Sequence, residues 1–161
     1  MTKHISLGHG RYTTVDDEDY EFLSRWKWCY QPRGYGYAAR SSGRSKTFHM
    51  HRVIMNAPKG LEVDHINGDG LDNRRSNLRL CTKAQNQYNQ RPKCRGTSQF
   101  KGVSWKTTAN RWVAQIQVNG RKLFLGYFQN ETEAAQAYDQ AARQLFGEFA
   151  RPNIEAGIGD D

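Results

Sequence analysis

Residues 62–89, EVDHINGDGLDNRRSNLRLCTKAQNQYN, carry the clearest structural pattern in the chain. The pattern predicts a brief strand, a loop dense in Asn, Gly and Asp, a second brief strand at LRLC, and a helix from about Thr82. A strand, loop and helix of this size bring the two ends of the segment close together in space. The stretch therefore predicts a compact site built from few residues.

The first strand of this stretch ends in the adjacent pair Asp64 and His65, and Asn86 lies one turn into the helix. Alternate strand residues point to opposite faces, so Asp64 can hold a hard cation while His65 faces an attacking water. Oxygen ligands from Asp64 and Asn86 suit magnesium, and a neutral His65 can take a proton near physiological pH. These residues predict a site for one divalent ion beside a general base.

The loop NGDGLDN, residues 67–73, also has the composition of a calcium-binding loop. Its acidic residues do not fall at the offsets that a calcium loop requires, and no glutamate closes it. The calcium interpretation is therefore rejected.

The residues before this stretch are expected to form a small scaffold packed on the site. VDDEDYEFLSRWKW, residues 15–28, predicts a helix because Tyr20, Leu23 and Trp26 recur at helical spacing. GYGYAARSSGRSKTFHMHR, residues 34–52, predicts a hairpin. Its first strand contains Tyr35, Tyr37 and Ala39, its turn runs from Ser41 to Arg44, and its second strand continues through Phe48.

The segment after the stretch reads as a linker and then a small sheet. Residues 91–99 are polar and basic and contain Pro92 and Gly96, which is typical of a linker. WVAQIQV, residues 112–118, alternates as a strand, and Asn119-Gly120 predicts a hairpin turn into the strand RKLFLGYF. One face should carry Trp112, Ala114, Ile116 and Val118, with Leu123 and Leu125 pointing inward, and the other face should carry Val113, Gln115 and Gln117.

A helix is expected to back this sheet. Asn130 can cap it with Glu133 three residues on, and Gly147 ends it. Its apolar stripe is predicted to contain Ala134, Tyr138, Ala141 and Leu145.

The chain has 161 residues, room for one ordinary domain or two small ones, and a formal net charge of +8, which predicts a polyanionic partner. DNA, RNA and an anionic membrane all fit that charge. The chain has neither an apolar run long enough to cross a bilayer nor a signal peptide, so we expect a cytoplasmic protein without membrane contact. Cys29, Cys81 and Cys94 form no C-x-x-C pair, which favours free thiols over a structural zinc site.

The charge is unevenly distributed along the C-terminal half. Residues 95–122 hold six basic and no acidic residues, whereas residues 123–161 hold two basic and seven acidic ones. The first stretch should therefore face phosphates, and the second should face away from them.

The segment HRVIMNAPKGLEVDHINGDGLDNRRSNLRLCTKAQN and the residues to Asn89 resemble the HNH nucleases, in the branch of intron-encoded and phage homing endonucleases. The resemblance implies a ββα-metal fold in which His65 is the general base and Asn77 pins the loop and orients His65. It implies that Asp64 and Asn86 hold one Mg²⁺ or Mn²⁺, and that DNA is cut to a 5′-phosphate and a 3′-hydroxyl. His51 and Arg52 leave two interpretations open, contact with a phosphate or a structural role beneath the site.

Residues 100–153 resemble the AP2 domain of plant ethylene-response factors, which also occurs fused to HNH nucleases in phages and mobile elements. FKGV, RWVAQI, LGYF, EAAQAYDQAA and the closing asparagine carry the resemblance. It implies a three-stranded sheet in the DNA major groove with a helix behind it. The residues matching the family's DNA-facing positions are Lys101, Ser104, Lys106, Arg111, Gln115, Gln117, Lys122 and Phe124.

Together these features predict an α+β chain with a nuclease domain at 1–90 around a motif core at 51–89, a linker at 91–99, a DNA-binding domain at 100–153 and a tail at 154–161. The basic residues are expected to contact phosphates, and Gln115 and Gln117 either read base edges or are solvated. The main hypothesis is a site-selective, homing-type endonuclease that acts as a monomer and nicks duplex DNA. The alternatives are a catalytically silent DNA-binding regulator and an RNA-binding protein.

Overall fold

A computed structural model of the protein describes residues 1–32, 36–43, 46–90 and 96–154. The chain divides into two compact units, Met1–Asn86 and Gln87–Asp161. Strands and helices occur in both units, which confirms the predicted α+β class. No helix in the described ranges is long and apolar enough to cross a membrane. Cys29 and Cys81 are free thiols, as predicted, and Cys94 lies outside the described residues.

The first unit opens with an antiparallel hairpin that the sequence did not predict, β1 (Thr2–Gly8) and β2 (Arg11–Asp16). Helix α1 (Asp17–Leu23) follows and ends earlier than predicted. Its end has a physical cause, because the buried Trp28 donates its indole Nε1–H to the carbonyl oxygen of Leu23 at 2.8 Å. That carbonyl also accepts the backbone N–H of Trp26 at 3.2 Å, whereas a continued helix would supply the N–H of Lys27.

A three-stranded antiparallel sheet comes next, with the strands β3 (Cys29–Gln31), β4 (Tyr37–Ser42) and β5 (Lys46–His49) in the order β3-β4-β5. Strands β4 and β5 confirm the predicted hairpin, although Tyr35 and Arg44 lie outside the described residues. The short helix α2 (Met50–Ile54) follows directly and was not predicted. Its Met50 and Ile54 are buried in the core of this unit.

The predicted order of strand, loop, strand and helix is confirmed in the middle of the chain. Strand β6 (Glu62–His65) pairs antiparallel with β7 (Leu78–Cys81), and helix α3 (Lys83–Tyr88) follows. In this register Asp64 lies opposite Arg79 and His65 lies opposite Leu78. One strand therefore presents Asp64 and His65 to opposite faces.

The second unit contains the predicted sheet and helix. Strands β8 (Val103–Lys106), β9 (Arg111–Val118) and β10 (Arg121–Phe128) form an antiparallel sheet in the order β10-β9-β8, backed by helix α4 (Glu131–Phe146). Asn119 and Gly120 have φ values of 49° and 80°, which confirms the predicted hairpin turn.

The two faces of this sheet follow the predicted alternation, with two differences in burial. Leu123 pairs with the core residue Ile116 and so lies on the inner face, as predicted, but it is 43% exposed. The register of β10 shifts between Phe124 and Gly126, and it is Leu125 that packs against the core. Val113 pairs with Ser104 and Tyr127 and so lies on the polar face, as predicted, but it is only 4% exposed.

The ends and the stripe of α4 also differ in detail from the prediction. Ala134 and Tyr138 are buried as expected, whereas Leu145 is 46% exposed and Phe146 is buried in its place. A step of four residues from Tyr138 leads through Ala142 to Phe146, and this row faces the sheet. Asn130 precedes the helix but donates to the Glu133 side chain at 2.9 Å instead of capping the backbone. Gly147 ends the helix with φ 54°, as predicted.

Candidate functional site

Asp64 lies buried in an ion pair on one face of β6. It is 5% exposed, and its Oδ2 accepts hydrogen bonds from Nε of Arg79 at 2.9 Å and from Nη2 of Arg79 at 2.8 Å. Arg79 is the residue directly opposite on β7. This partner was missed by the sequence reasoning, although pairing the two predicted strands in register would have found it. The ion pair holds the Asp64 carboxylate in one orientation.

Asn86 reaches the same face of β6 through Glu62. Its Nδ2 donates to Oε2 of Glu62 at 2.6 Å, and Glu62 lies two residues before Asp64, so that the two carboxylates share a face. Since Nδ2 faces the carboxylate, the oxygen of the Asn86 amide points away from Glu62. Glu62 was not singled out in the sequence, because a lone glutamate on a strand carries no signal.

The chemistry of these side chains suits a hard cation. Carboxylate and amide oxygens are the ligands that Mg²⁺ prefers. The negative charges of Asp64 and Glu62 also affect Cys81, whose thiol pKa is raised to about 11 by burial and by these two carboxylates. Among the described residues, no group of three or more His, Cys, Asp or Glu side chains is arranged to hold a metal.

His65 lies on the opposite face of β6 in a buried setting. It is 6% exposed, and its Nε2 is 3.3 Å from Oδ1 of Asn73. Burial lowers the pKa of His65 below the ordinary histidine value, while the hydrogen bond to Asn73 and the neighbouring carboxylates act in the opposite direction. The imidazole is therefore mainly neutral at pH 7, which is the form that accepts a proton.

Two aromatic rings from the scaffold pack against His65, and a third stacks on one of them. The ring of His51 lies edge-on at a centroid distance of 5.0 Å, and the ring of Tyr37 lies at 5.8 Å. His49 stacks on His51 at 5.4 Å. Burial, followed by repulsion from His65, lowers the pKa of His51 to about 3, so this imidazole is neutral. These contacts support a structural role for His51 over contact with a phosphate.

Arg52 also has a structural environment. Its Nη1 donates to the carbonyl oxygen of Leu61 at 2.7 Å, and its Nη2 donates to the carbonyl oxygens of Ala57 and Pro58 at 3.2 Å. The guanidinium therefore ties together the turn that leads from α2 to β6.

Asn77 bridges two points of the loop between β6 and β7. Its Oδ1 accepts the backbone N–H of Asn67 at 3.0 Å, and its Nδ2 donates to the carbonyl oxygen of Asp72 at 2.8 Å. The Asp72 carboxylate is held in turn by Arg74 at 2.6 and 2.7 Å. This arrangement closes the loop between β6 and β7, and the orientation of His65 by Asn77 stays a prediction.

The hairpin β1-β2 anchors the same loop from outside. Asn73 donates through Nδ2 to Oγ1 of Thr13 at 2.7 Å, and its backbone N–H bonds the carbonyl oxygen of Thr14 at 2.8 Å. Thr13 donates its hydroxyl to the carbonyl oxygen of Leu71 at 2.7 Å. Neither Thr13 nor Asn73 was singled out from the sequence, because nothing local links two residues that lie 60 positions apart.

In the second unit, the sheet surface of β8, β9 and β10 gathers nearly all of the predicted DNA-facing residues. Direct cross-strand pairs join Lys106 to Arg111, Gln117 to Lys122 and Gln115 to Phe124. Directly paired residues share one face of a sheet. We call this surface the outer face, and its exposed members are Ser104, Lys106, Arg111, Gln115, Gln117, Lys122 and Phe124. Tyr127, which is 55% exposed and lies 5.0 Å from the ring of Phe124, was not predicted.

Lys101 differs from the other predicted DNA-facing residues. Its Nζ donates to the carbonyl oxygens of Gln87, Tyr88 and Gln90 at 3.3, 2.7 and 3.0 Å. Burial, with repulsion from Arg151, lowers the pKa of Lys101 to about 8, so the ammonium is still charged at pH 7. Its three N–H donors are directed to the backbone of its own unit, and we expect its main role to be structural.

Replacing Lys101 by methionine is expected to destabilise the second unit by about 1–3 kcal/mol, because three carbonyl groups lose a charged donor. The measurement is the hydrogen-exchange rate of the α4 amides at pH 7, which should rise in the variant. Lys106→Met is the matched control, since Lys106 is exposed on the outer face, and it should leave these rates unchanged. Equal exchange in both variants would contradict the structural role of Lys101.

Comparison with known proteins gives two matches in this order along the chain. Residues 49–88 match a family model described as HNH endonuclease, and residues 98–148 match one described as AP2 domain. An uncharacterised HNH endonuclease of Acanthamoeba polyphaga mimivirus is 33% identical over 155 residues, which is 92% of this chain and 78% of that protein. Protein 3.8 of Escherichia phage T7 is 32% identical over 94 residues, or 58% of this chain and 77% of its own length.

Plant proteins match a smaller share of the chain. Dehydration-responsive element-binding protein 2A of Oryza sativa is 46% identical over 57 residues, which is 34% of this chain and 20% of the plant protein. The two resemblances drawn from the sequence are thus both confirmed, in the same N- to C-terminal order.

Proposed function

The chain belongs to the HNH endonuclease family and carries an AP2 domain, and from this premise we propose that it is a metal-dependent, site-selective endonuclease that nicks duplex DNA. The observation that supports the proposal is the split at the end of β6. Asp64 shares one face with Glu62, the carboxylate that holds Asn86, whereas His65 on the other face is buried and mainly neutral. A metal-dependent hydrolytic site needs both a group that binds the cation and a group that accepts a proton.

In this mechanism His65 accepts the proton of the water that attacks the phosphorus atom. Asp64 and Asn86 would hold a divalent ion through their oxygen atoms, and Arg79 and Glu62 keep those two side chains in place. When bound, Mg²⁺ or Mn²⁺ stabilises negative charge on the phosphate and on the departing 3′-oxygen. Asn77 keeps the loop closed beside His65. The departing 3′-oxygen takes a proton from solvent, and the products are a 5′-phosphate and a 3′-hydroxyl.

The outer face is the proposed contact with the DNA major groove. Its basic side chains Lys106, Arg111 and Lys122 would bind phosphates, and the exposed Gln115 and Gln117 would read base edges. We propose nuclease and DNA-binding domains at 1–90 and 100–153. A monomer with one site cuts one strand in each binding event, so a nick is the expected first product. Incubation of supercoiled plasmid with the protein and Mg²⁺ tests this, because a nick yields the open circle before any linear form.

Cleavage is expected to require Mg²⁺ or Mn²⁺ and to survive a zinc-selective chelator, since the oxygen atoms around Asp64 suit a hard cation. The measurement is the rate of open-circle formation after treatment with EDTA and after addition of each metal separately. Restoration by zinc alone would contradict the proposed ion. Plasmid that is bound but uncut with every divalent ion would favour the catalytically silent regulator.

A further inference from the structure

A chain of buried hydrogen bonds joins the imidazole of His65 to the backbone of the loop. Nε2 of His65 lies 3.3 Å from Oδ1 of Asn73, Nδ2 of Asn73 donates to Oγ1 of Thr13 at 2.7 Å, and the Thr13 hydroxyl donates to the carbonyl oxygen of Leu71 at 2.7 Å. Asn73 is 0% exposed and Thr13 is 1% exposed. Water therefore cannot substitute for either partner in this chain.

The direction of each bond follows from the chemistry of its end. The Leu71 carbonyl can only accept, so the single hydroxyl proton of Thr13 is used there and Oγ1 of Thr13 must accept from Asn73. The carbonyl oxygen of Gly70, at 3.4 Å from Nδ2 of Asn73, also can only accept. The NH₂ group of Asn73 therefore faces Thr13 and Gly70, and its carbonyl oxygen faces His65.

We propose, on the basis of the nuclease function above, that Asn73 is a positioning residue that holds His65 in the tautomer protonated at Nε2. An amide oxygen opposite Nε2 needs a proton on that nitrogen, because the other tautomer would oppose two lone pairs in a buried site. In the neutral ring, Nδ1 then carries the lone pair that takes the proton from water. This role differs from that of Asn77, whose amide bonds only backbone groups of the loop in the contacts described above.

The hairpin β1-β2 anchors one end of this series of hydrogen bonds. The carbonyl oxygen of Leu71 also accepts the backbone N–H of Thr14 at 2.9 Å, and the backbone N–H of Asn73 donates to the carbonyl oxygen of Thr14 at 2.8 Å. Strand β2 thus holds the backbone on both sides of Asp72. The proton position on His65 is determined by a strand that lies outside the segment matching the nuclease family, which begins at residue 49.

The first test is the tautomer of His65 in the full chain without metal or DNA. ¹⁵N NMR of histidine-labelled protein at pH 8 distinguishes a protonated ring nitrogen from one with a lone pair, and the spectrum of His65→Ala assigns the signals. We expect Nε2 to be the protonated nitrogen. Protonation at Nδ1 would overturn the proposal.

The second test asks whether Asn73 causes this preference. Asn73→Ala should give a mixture of tautomers and lower the single-turnover cleavage rate by about 10- to 10²-fold, without a change in DNA affinity. A folded Asn73→Ala protein with an unchanged tautomer and rate would overturn the proposal.

Thr13 provides a matched pair in case Asn73→Ala does not fold. Thr13→Val keeps the shape of the side chain but removes the hydroxyl, whereas Thr13→Ser keeps the hydroxyl. The valine variant should show a mixed tautomer and a slower cut, and the serine variant should resemble the wild type. Identical NMR spectra and rates for the two variants would overturn the proposal.

The tautomer is measured without cleavage, so the two proposals fail separately. A wild-type protein that shows the Nε2 tautomer but cuts no plasmid with any divalent ion supports the role of Asn73 and contradicts the nuclease function.

Discussion

Replacing His65 by alanine is expected to lower the single-turnover rate of plasmid cleavage by about 10²-fold or more while DNA affinity stays close to that of the wild type. The change removes the proton acceptor but adds no charge that would repel phosphate. Because His65 is only 6% exposed, it contributes little surface to a bound duplex. The expected result is a protein that binds DNA without cutting it.

Two measurements separate a chemical effect of His65→Ala from a folding effect. Thermal unfolding shows whether removing the hydrogen bond between His65 and Asn73 destabilises the first unit. His9→Asn is the matched control, since His9 is an exposed histidine at the tip of β1-β2 with φ 52°, a conformation that asparagine tolerates. A folded His65→Ala protein that cuts at the wild-type rate would contradict His65 as the general base.

Replacing Lys106 and Arg111 together by alanine is expected to lower DNA affinity by about 10²-fold at low salt, since each charge-assisted bond contributes on the order of 1.5–3 kcal/mol at most. The two residues are direct cross-strand neighbours on the outer face, so they present one pair of positive charges. The slope of log affinity against log salt should fall by about one for each phosphate that the variant no longer binds. Cleavage should remain measurable at high protein concentration, because the change does not touch His65.

Arg143→Ala is the matched control for Arg111→Ala. Both arginines are exposed and lie in the second unit, but Arg143 is in the last turn of α4, on the element that backs the sheet. The two variants lose the same charge, so a general electrostatic effect would weaken binding equally. We expect only Arg111→Ala to reduce the salt slope. An equal decrease in affinity in both variants would contradict the outer face as the contact surface.

Much of the candidate site could be predicted from local sequence. The alternation of residues in a strand is enough to separate Asp64 from His65, and the same rule puts Gln115 and Gln117 on the outer face beside Arg111. The Asn119-Gly120 turn then sets which residues pair across β9 and β10. These predictions succeeded because they depend on neighbours a few residues apart.

Other details depend on packing. The predicted apolar stripe of α4 ended at Leu145, whereas the buried residue is Phe146, one position later. A stripe rich in alanine does not distinguish these two positions. Lys101 looked like a phosphate contact because its charge is visible in the sequence, but the end point of a flexible lysine depends on which acceptors surround it. Here those acceptors are the carbonyl groups of residues 87, 88 and 90.

The order of the elements, the Asp64-His65 pair and the polar face of the sheet could be predicted from the amino-acid sequence, because each follows from local periodicity and turn preference. The groups that hold those side chains, in contrast, depend on tertiary contacts. Asp64 meets Arg79 across a hairpin, Asn86 meets Glu62 across 24 positions, and Asn73 meets Thr13 across 60. Such contacts between distant residues form only when packing closes the chain, and they decide the proton position on His65 because a buried ring must satisfy its nitrogen atoms with the partners that the fold supplies.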